Sequence, residues 1–261
     1  MKNNKFIEAV IFDLSGTLVD FGSLATIQAM QKIFKSKGII LSKDIINLNM
    51  GIKKEKHIKK ILSHPLIKFK LKNKRKLSKS DIKKMIKDFD KELIFKVKKN
   101  LNIIPNVKKI IDILKKNNIK IGITTGYPKK ITKIIINYLK KNKIFFNSTV
   151  SDDEVKNGRP SPDMCKKNLI NMQIINPRKC IKVDDSFSGI VEGKRSKMMT
   201  VGLISTGIQL GLSKKDLARI PKKKKNKLFQ TVKNKFKKLK TDIVVNDHFE
   251  FENILIKRFL I

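Results

Sequence analysis

Short apolar runs alternate with amphipathic stretches through most of the chain, and this alternation constrains the fold most. Each short run predicts a buried strand, and each stretch with apolar residues three and four positions apart predicts a helix. Strands that alternate with helices are joined by helical crossovers and therefore lie parallel in one sheet. We expect an α/β fold with a doubly wound, Rossmann-like parallel sheet. The predicted strands are 9–12, 119–124, 148–150, 180–183, 199–204 and 242–245.

A long block between the first and second predicted strands shows helical spacing only. In residues 22–100 no apolar run is typical of a strand, and Ser80 opens the longest amphipathic stretch. Ser42 is predicted to cap one helix and Pro65 to end another. The sequence therefore predicts an inserted, all-helical cap domain of residues 22–100 on a core domain of residues 1–21 and 101–261.

Length and composition are typical of a globular protein with a large core. The chain has 261 residues, of which 40% are hydrophobic and 32% charged. No apolar run approaches the roughly 20 residues that a membrane span requires, and Met1 to Lys5 lead into a strand without a signal-peptide pattern. Two cysteines, Cys165 and Cys180, do not make a disulfide framework, so we expect a cytoplasmic protein without a membrane partner.

The formal net charge of +39 invites a nucleic-acid interpretation, but its pattern argues against one. The positive charge is nearly all lysine and is spread over almost every predicted helix. Arginine is scarce, tryptophan is absent and only two tyrosines occur. The chain therefore has few of the side chains that recognise base edges or stack on bases. We attribute the charge to compositional drift and expect no specific nucleic-acid partner, only non-specific binding to polyanions at low salt.

A carboxylate follows the first strand directly. Asp13 stands at the carboxyl end of the apolar run 9–12 and before a turn that contains Gly16. Ligands of open parallel sheets bind outside the carboxyl ends of the strands, where such a carboxylate can ligate a cation or attack an electrophile. Taken alone, Asp13 could equally cap the next helix.

Three further polar residues follow later strands or their adjoining loops and should meet Asp13 at the same edge of the sheet. Thr125, with the backbone of Gly126, can hydrogen-bond a phosphoryl oxygen, and Arg159 can bind that anion as charge develops. Asp185 completes a carboxylate pair suited to Mg²⁺, which prefers oxygen ligands. The sequence therefore predicts a site for phosphoryl transfer at this edge.

The order and spacing of these four motifs resemble the haloacid dehalogenase superfamily, whose members mostly transfer phosphoryl groups through an aspartyl-phosphate. The resemblance implies that Asp13 is the nucleophile. It also implies that Mg²⁺ is held by Asp13, the backbone carbonyl of Ser15, and Asp185. Most phosphatases and mutases of that superfamily carry a second Asp at position 15, which protonates the leaving oxygen. Ser15 cannot act as a general acid near neutral pH, so either the activity is impaired or the leaving group needs no such acid.

The helical block carries a further resemblance, to phosphonoacetaldehyde hydrolases. It extends from Val10 to Leu255 and rests on Met50-Gly51-Ile52-Lys53-Lys54-Glu55-Lys56-His57-Ile58, Thr124-Thr125-Gly126-Tyr127 and Gly158-Arg159-Pro160. In that family a cap lysine forms a Schiff base with the substrate aldehyde, and the register places it at Lys54. The resemblance implies that the substrate is bound by Met50, Gly51, Thr125, Gly126, Tyr127 and Arg159. It also implies a homodimer joined through the caps.

Two residues near Lys54 leave alternatives open. Lys53 is spaced i,i+4 from His57, so helical geometry alone does not choose between the two lysines. His57 lies one turn beyond Lys54 and is either a participant in proton transfer or an ordinary residue of the helix surface.

Departures from the family pattern keep other functions open. The fourth motif has Asp184 and Gly189 where phosphonoacetaldehyde hydrolases usually have Gly and Asp, and Pro128 and Ser161 also differ. The preferred function is hydrolysis of the C–P bond of phosphonoacetaldehyde. The alternatives are a magnesium-dependent phosphatase or phosphomutase for a small phosphate ester, and a non-catalytic protein that binds polyanions.

Overall fold

A parallel sheet forms the centre of the computed structural model, which describes residues 7–48, 50–72 and 77–260. Within these residues the sheet has six strands in the order β3-β2-β1-β4-β5-β6. Every neighbouring pair is parallel, so the predicted doubly wound α/β fold is confirmed. The strands are β1 (Ala9–Phe12), β2 (Lys120–Thr125), β3 (Ser148–Ser151), β4 (Cys180–Asp184), β5 (Met199–Leu203) and β6 (Ile243–Val245).

The central position of β1 follows from its composition. All four residues of β1 are buried, and the strand pairs with β2 on one side and β4 on the other. A strand covered on both faces by helices needs a continuous apolar run rather than an alternating one. Asp13, which follows β1, therefore lies at the middle of the carboxyl edge.

The first five helices after β1 make up the predicted insertion. They are α1 (Leu24–Lys35), α2 (Lys43–Asn47), α3 (Lys54–Ser63), α4 (Pro65–Lys72) and α5 (Lys79–Asn100). The Ser42 hydroxyl accepts from the Ile45 N–H, as expected of a cap. The boundaries 22 and 100 stay a prediction. Part of the basic stretch 68–79, predicted as a solvated helix or loop, lies outside the described residues.

The prediction that Pro65 ends a helix is confirmed, because α3 ends at Ser63, two residues before the proline. The sequence did not predict that a second helix, α4, begins at Pro65 itself. Proline suits the first helical position because the N–H that it lacks would have no intrahelical partner there. Proline is also common just beyond a helix end, so this residue fits both roles.

The remaining helices cover the core sheet. They are α6 (Val107–Lys116), α7 (Lys129–Lys141), α8 (Asp163–Asn171), α9 (Phe187–Arg195), α10 (Lys214–Arg219), α11 (Lys222–Lys238) and α12 (His248–Leu255). The polybasic stretch forms α11, whose Val232 and Phe236 are buried while most of its lysines are exposed. The predicted apolar stripe of this helix is therefore confirmed. Among the described helices, none is long and apolar enough to cross a membrane.

Candidate active site

The four predicted strand-end residues line one cavity between the sheet edge and the helical insertion. Asp13, Thr125, Arg159 and Asp185 meet there, although they lie far apart in the sequence. The volume is about 60 Å³, which is space for a few water-sized groups. The other predicted site residues that line it are Ser15, Met50, Gly51, Lys54, His57, Gly126 and Tyr127.

Asp13 is buried at the end of β1 and faces a cation. Its N–H donates to the Val183 carbonyl, which continues the sheet by one residue. Its Oδ1 lies 2.8 Å from Nη1 of Arg159. Burial raises the pKa of Asp13 to about 6, although Arg159 opposes the rise. Asp13 does not cap the next helix: the N–H groups of Leu24 and Ala25 donate to Asp20 instead.

Arg159 is held on three sides, so that one nitrogen is left to face Asp13. Its Nε lies 2.9 Å from Oε2 of Glu192, which is fully buried. Its Nη2 donates to the backbone and side-chain oxygens of Thr124 and lies 3.2 Å from Asp184. These contacts orient the guanidinium, and Nη1 is then positioned to bind an anion beside Asp13.

Three carboxylates form a buried cluster with room for a cation. One ligand oxygen from each of Asp13, Asp184 and Asp185 lies within 4.8 Å of the others. Burial raises the pKa of Asp185 well above its usual value, and the charges of Asp13 and Asp184 raise it further. Like charges this close resist simultaneous ionisation, so the donor set fits a hard divalent cation, which favours carboxylate oxygens.

Asp185 is oriented by residues from several elements. Its Oδ2 accepts from the Ile208 N–H at 2.7 Å, and its two oxygens also accept from Thr17 and Ser23. Gly16 is required here because a Cβ at this position would lie 2.3 Å from Oδ2 of Asp185. The Ser23 hydroxyl oxygen also lies 3.0 Å from the Ser15 carbonyl oxygen, the predicted backbone ligand, so its single proton is shared between the two acceptors. This hydroxyl therefore bridges two predicted metal ligands.

Asp184 occupies the place that a side chain at position 189 would need. An ideal Cβ at Gly189 would lie 1.9 Å from Oδ2 of Asp184. The carboxylate is fixed there by Lys182 at 2.8 Å and by the N–H and hydroxyl of Ser186. Burial alone would raise the pKa of Asp184, but Arg159 and Lys182 hold it below its usual value. The two departures in the fourth motif are thus spatially linked.

The turn after β2 supplies the predicted anion-binding groups. Thr125 is the last residue of β2 rather than part of the turn, and its Oγ1 accepts from the Tyr127 N–H at 3.2 Å. The Thr125 hydroxyl proton remains free to donate into the cavity. The Tyr127 hydroxyl lies 2.8 Å from Oγ1 of Thr26 in α1, so this turn and the insertion are joined by a hydrogen bond.

The predicted cap motif lies directly against the core. The Ser188 hydroxyl donates to the Met50 carbonyl at 3.0 Å. Gly51 has a φ of +87°, and a Cβ there would lie 2.4 Å from the Ser188 hydroxyl oxygen. A Cβ at Gly126 would lie 2.9 Å from the Gly51 carbonyl oxygen. The two glycines allow this close approach of backbone and side chain.

The two adjacent lysines occupy different surroundings. Lys54, at the start of α3, lines the cavity, and its Nζ lies 5.4 Å from the centroid of the Phe89 ring. Lys53 does not line the cavity; a Cβ at Gly158 would lie 3.3 Å from its Cε. The structure therefore distinguishes two residues that helical spacing left equivalent.

His57 is a buried residue, so the alternative of an ordinary surface position is wrong. Its side chain is 2% exposed, and Nε2 donates to the Ile46 carbonyl at 2.9 Å. Burial lowers the pKa of His57 to about 4. The imidazole is therefore neutral near pH 7, and with Nε2 as the donor, Nδ1 carries no proton.

Comparison with known proteins agrees with this geometry. The family model of haloacid dehalogenase-like hydrolases matches residues 10–203. The phosphonoacetaldehyde hydrolase of Latilactobacillus sakei is 32% identical over 253 residues, 96% of both chains. The chain belongs to the phosphonoacetaldehyde hydrolase family of haloacid dehalogenase-like hydrolases. The corresponding enzyme of Parabacteroides distasonis is 32% identical over 96% of this chain and 94% of its own.

A solved structure of the family supports the fold across both parts of the chain. A phosphonoacetaldehyde hydrolase-like protein from Oleispira antarctica superposes with a TM-score of 0.92 at 30% identity. The match covers 100% of this chain and 96% of that one. The similarity therefore includes the helical insertion as well as the sheet.

Sequence reasoning missed the residues that support the site from behind. Lys182 and Glu192 are fully buried, and together with Thr124 they form the hydrogen-bonded base on which Arg159 rests. The buried site holds two cations, Arg159 and Lys182. Its four carboxylates are those of Asp13, Asp184, Asp185 and Glu192. The formal charges therefore sum to −2, which a divalent cation would offset. Lys182 had a usable signal, since a lysine inside an otherwise apolar strand is costly unless it is paired.

Proposed function

We propose that this protein hydrolyses the C–P bond of phosphonoacetaldehyde to acetaldehyde and phosphate. The observation that carries the proposal is the placement of Lys54 and Asp13 on the same cavity, with Ser15 where an acid would serve ester hydrolysis. Lys54 supplies an amine for the aldehyde end of the substrate. Asp13 supplies a nucleophile for the phosphonyl end.

An imine suits this leaving group better than a general acid does. Breaking a C–P bond leaves an electron pair on carbon, and protonation of an oxygen would not help its departure. A protonated imine between Lys54 and the aldehyde carbon accepts that pair and becomes an enamine. Asp13 attacks phosphorus opposite the departing carbon and forms an aspartyl-phosphate. A proton added to the terminal carbon of the enamine restores the iminium, and hydrolysis of the iminium releases acetaldehyde and the Lys54 amine. Water also hydrolyses the aspartyl-phosphate, which releases phosphate and restores Asp13.

The remaining residues bind and orient the phosphonate. Arg159 offers Nη1 beside Asp13, and the Thr125 hydroxyl and Gly126 N–H are placed to donate to phosphonyl oxygens. Mg²⁺, held by Asp13, the Ser15 carbonyl and Asp185 with Asp184 close by, would neutralise phosphonyl charge when bound. His57, neutral and on the cavity wall, is a candidate for proton transfer at the Lys54 nitrogen.

Phosphate release from phosphonoacetaldehyde, measured with and without Mg²⁺, tests the reaction. Borohydride added with the substrate should trap a covalent adduct on Lys54, which peptide mass spectrometry locates. Lys54→Ala should abolish release and trapping, whereas Lys53→Ala, the matched control, should retain both. An active enzyme with no adduct, or with the adduct elsewhere, rejects the imine mechanism.

The same assay separates the two alternatives. A phosphatase or phosphomutase would turn over small phosphate esters, and Lys54→Ala would leave that activity intact. A non-catalytic polyanion-binding protein would show no turnover with any substrate and would retain nucleic acid at physiological salt.

We also propose that the protein is a homodimer joined through the helical insertion. The helical insertion is rich in lysine, but it also exposes large apolar side chains to solvent. The most exposed are Ile40, Leu48, Leu66, Phe69 and Phe95. Burial of such side chains favours association. Light scattering should give twice the 30.0 kDa chain mass, and Phe69→Lys should reduce it towards one chain. A monomer at micromolar concentration would contradict the proposal.

A further inference from the structure

The amine of Lys54 has one acidic neighbour in the structure. Its Nζ is ion-paired with Oδ1 of Asp90, which projects from α5 across the gap to α3. The Lys54 side chain is 16% exposed and that of Asp90 is 46% exposed. Among the described residues no other carboxylate forms an ion pair with Lys54. Phe89, next to Asp90, places its ring beneath the same nitrogen.

Imine formation needs a group that handles a proton at this nitrogen. An ammonium has no lone pair, so Lys54 must lose a proton before its nitrogen can bond to the aldehyde carbon. A proton must then reach the former aldehyde oxygen, so that the C–O bond breaks and water leaves. Over the whole step, ammonium and aldehyde become iminium and water, and one positive charge stays on nitrogen.

We propose that Asp90 is the residue that accepts the proton from Lys54 and then pairs with the iminium that replaces the ammonium. The inference rests on the proposed imine function, and it adds an acidic partner from α5 for the Lys54 amine, separate from the cluster around Asp13. Asp90 touches the reacting nitrogen, so it can act without rearrangement of the helices. Its partial exposure lets water carry the accepted proton to the departing oxygen.

The other titratable groups are less suited to take the proton of Lys54. His57 is the alternative acceptor, but burial disfavours the imidazolium that it would become, and its Nε2 already donates to the Ile46 carbonyl. Asp13 is paired with Arg159, and Asp185 accepts three hydrogen bonds within the acidic cluster. Asp90 is thus the carboxylate placed for the nitrogen, while the acidic cluster is placed for the phosphonyl group.

The test isolates imine formation from C–P cleavage. In an Asp13→Asn background the nucleophile is absent, so phosphonoacetaldehyde should form the imine without being cleaved. The rate of borohydride-trapped adduct on Lys54 is then measured at saturating substrate. Asp90→Asn should slow trapping at least tenfold, in line with the 10²–10⁴-fold range of acid–base catalysis. Asp90→Glu should recover most of the rate.

Asp88→Asn is the matched control, because Asp88 is exposed on the same helix and the substitution removes the same charge. It should trap at the parent rate. With Asp13 intact, Asp90→Asn should lower kcat by a similar factor and change KM little, whereas a merely structural defect would not be rescued by glutamate. Equal trapping rates for Asp90→Asn and the parent would overturn the assignment. No adduct in either the parent or the wild type would overturn the imine function itself.

Discussion

Replacing Gly189 by alanine should destabilise the protein by about 3 kcal/mol, because the Asp184 carboxylate fills the space beside this glycine. The added Cβ would lie 1.9, 2.0 and 2.3 Å from Oδ2, Cγ and Oδ1 of Asp184. The carboxylate is fully buried and paired with Lys182 and Arg159, so it cannot move without breaking both ion pairs. Disrupting a buried pair costs about 3–5 kcal/mol, and alanine in a helix returns up to about 1 kcal/mol.

Urea unfolding followed by circular dichroism measures this change in the free energy of unfolding. A double-mutant cycle with Asp184→Ala tests the cause, because removing the carboxylate also removes the clash. Asp184→Ala should be destabilised by itself, since it removes the buried ion pairs that Asp184 makes with Arg159 and Lys182. Adding Gly189→Ala to that variant should then cost less than about 0.5 kcal/mol.

The reasoning would be refuted if Gly189→Ala cost the same in both backgrounds. It would also be refuted if the single variant lost less than about 1 kcal/mol, which would mean that the Asp184 carboxylate moves freely. A second readout is functional. Because Asp184 belongs to the acidic cluster, displacing its carboxylate by Gly189→Ala should weaken Mg²⁺ binding, which calorimetry measures. Asp184→Asn should also weaken Mg²⁺ binding, because it removes the negative charge directly.

Three further predictions concern the pH dependence, the insertion and the core. The folded pKa of Asp13, about 6, exceeds its ordinary value of 3.8, so in metal-free protein its contribution to stability is fully present below pH 3.8 and is lost as the pH rises through 6. The stability of Asp13→Asn relative to wild type should therefore increase by about 2 kcal/mol between pH 4 and pH 7, as chemical denaturation at each pH would measure. A difference that stays constant over this range would contradict the assigned pKa. Ser188→Ala removes the hydrogen bond to the Met50 carbonyl, which holds the predicted cap motif against the core. The free energy of unfolding should fall by about 1 kcal/mol, and KM should rise several-fold in steady-state kinetics. An unchanged KM would argue against a role of this bond in holding the segment that contains Met50. Phe236→Ala should cost about 4 kcal/mol in thermal or urea unfolding because the ring is fully buried, whereas Ile175→Ala at a 97% exposed position should cost almost nothing.

The fold was largely predictable because its signals are local. Short, mostly apolar runs such as 9–12 and 180–183 predict strands that are buried on both faces. The helices between these runs make parallel pairing of the strands the expected arrangement. Pro65 shows a limit of these signals. It correctly marked the end of α3, but it gave no indication that α4 begins at the same proline and packs against α3.

Part of the site was predictable for the same reason. Asp13, Thr125, Arg159 and Asp185 all stand at or just beyond strand ends, and parallel topology brings such ends to one edge. Glu192 and Asp90 carry no such signal. Each is an ordinary acidic residue of an amphipathic helix, and its role comes from a partner more than thirty positions away, Arg159 or Lys54.

The amino-acid pattern alone was enough for the α/β class, the helical insertion and the four residues that meet at the carboxyl edge of the sheet. It was not enough to separate Lys53 from Lys54, which are neighbours of the same type. Lys54 is the first residue of α3, whereas Lys53 is the non-helical residue before it, so the two side chains leave the backbone in different directions. Which one faces the cavity depends on where α3 begins and how it lies over the sheet edge, and only the packing of the insertion against the core decides that.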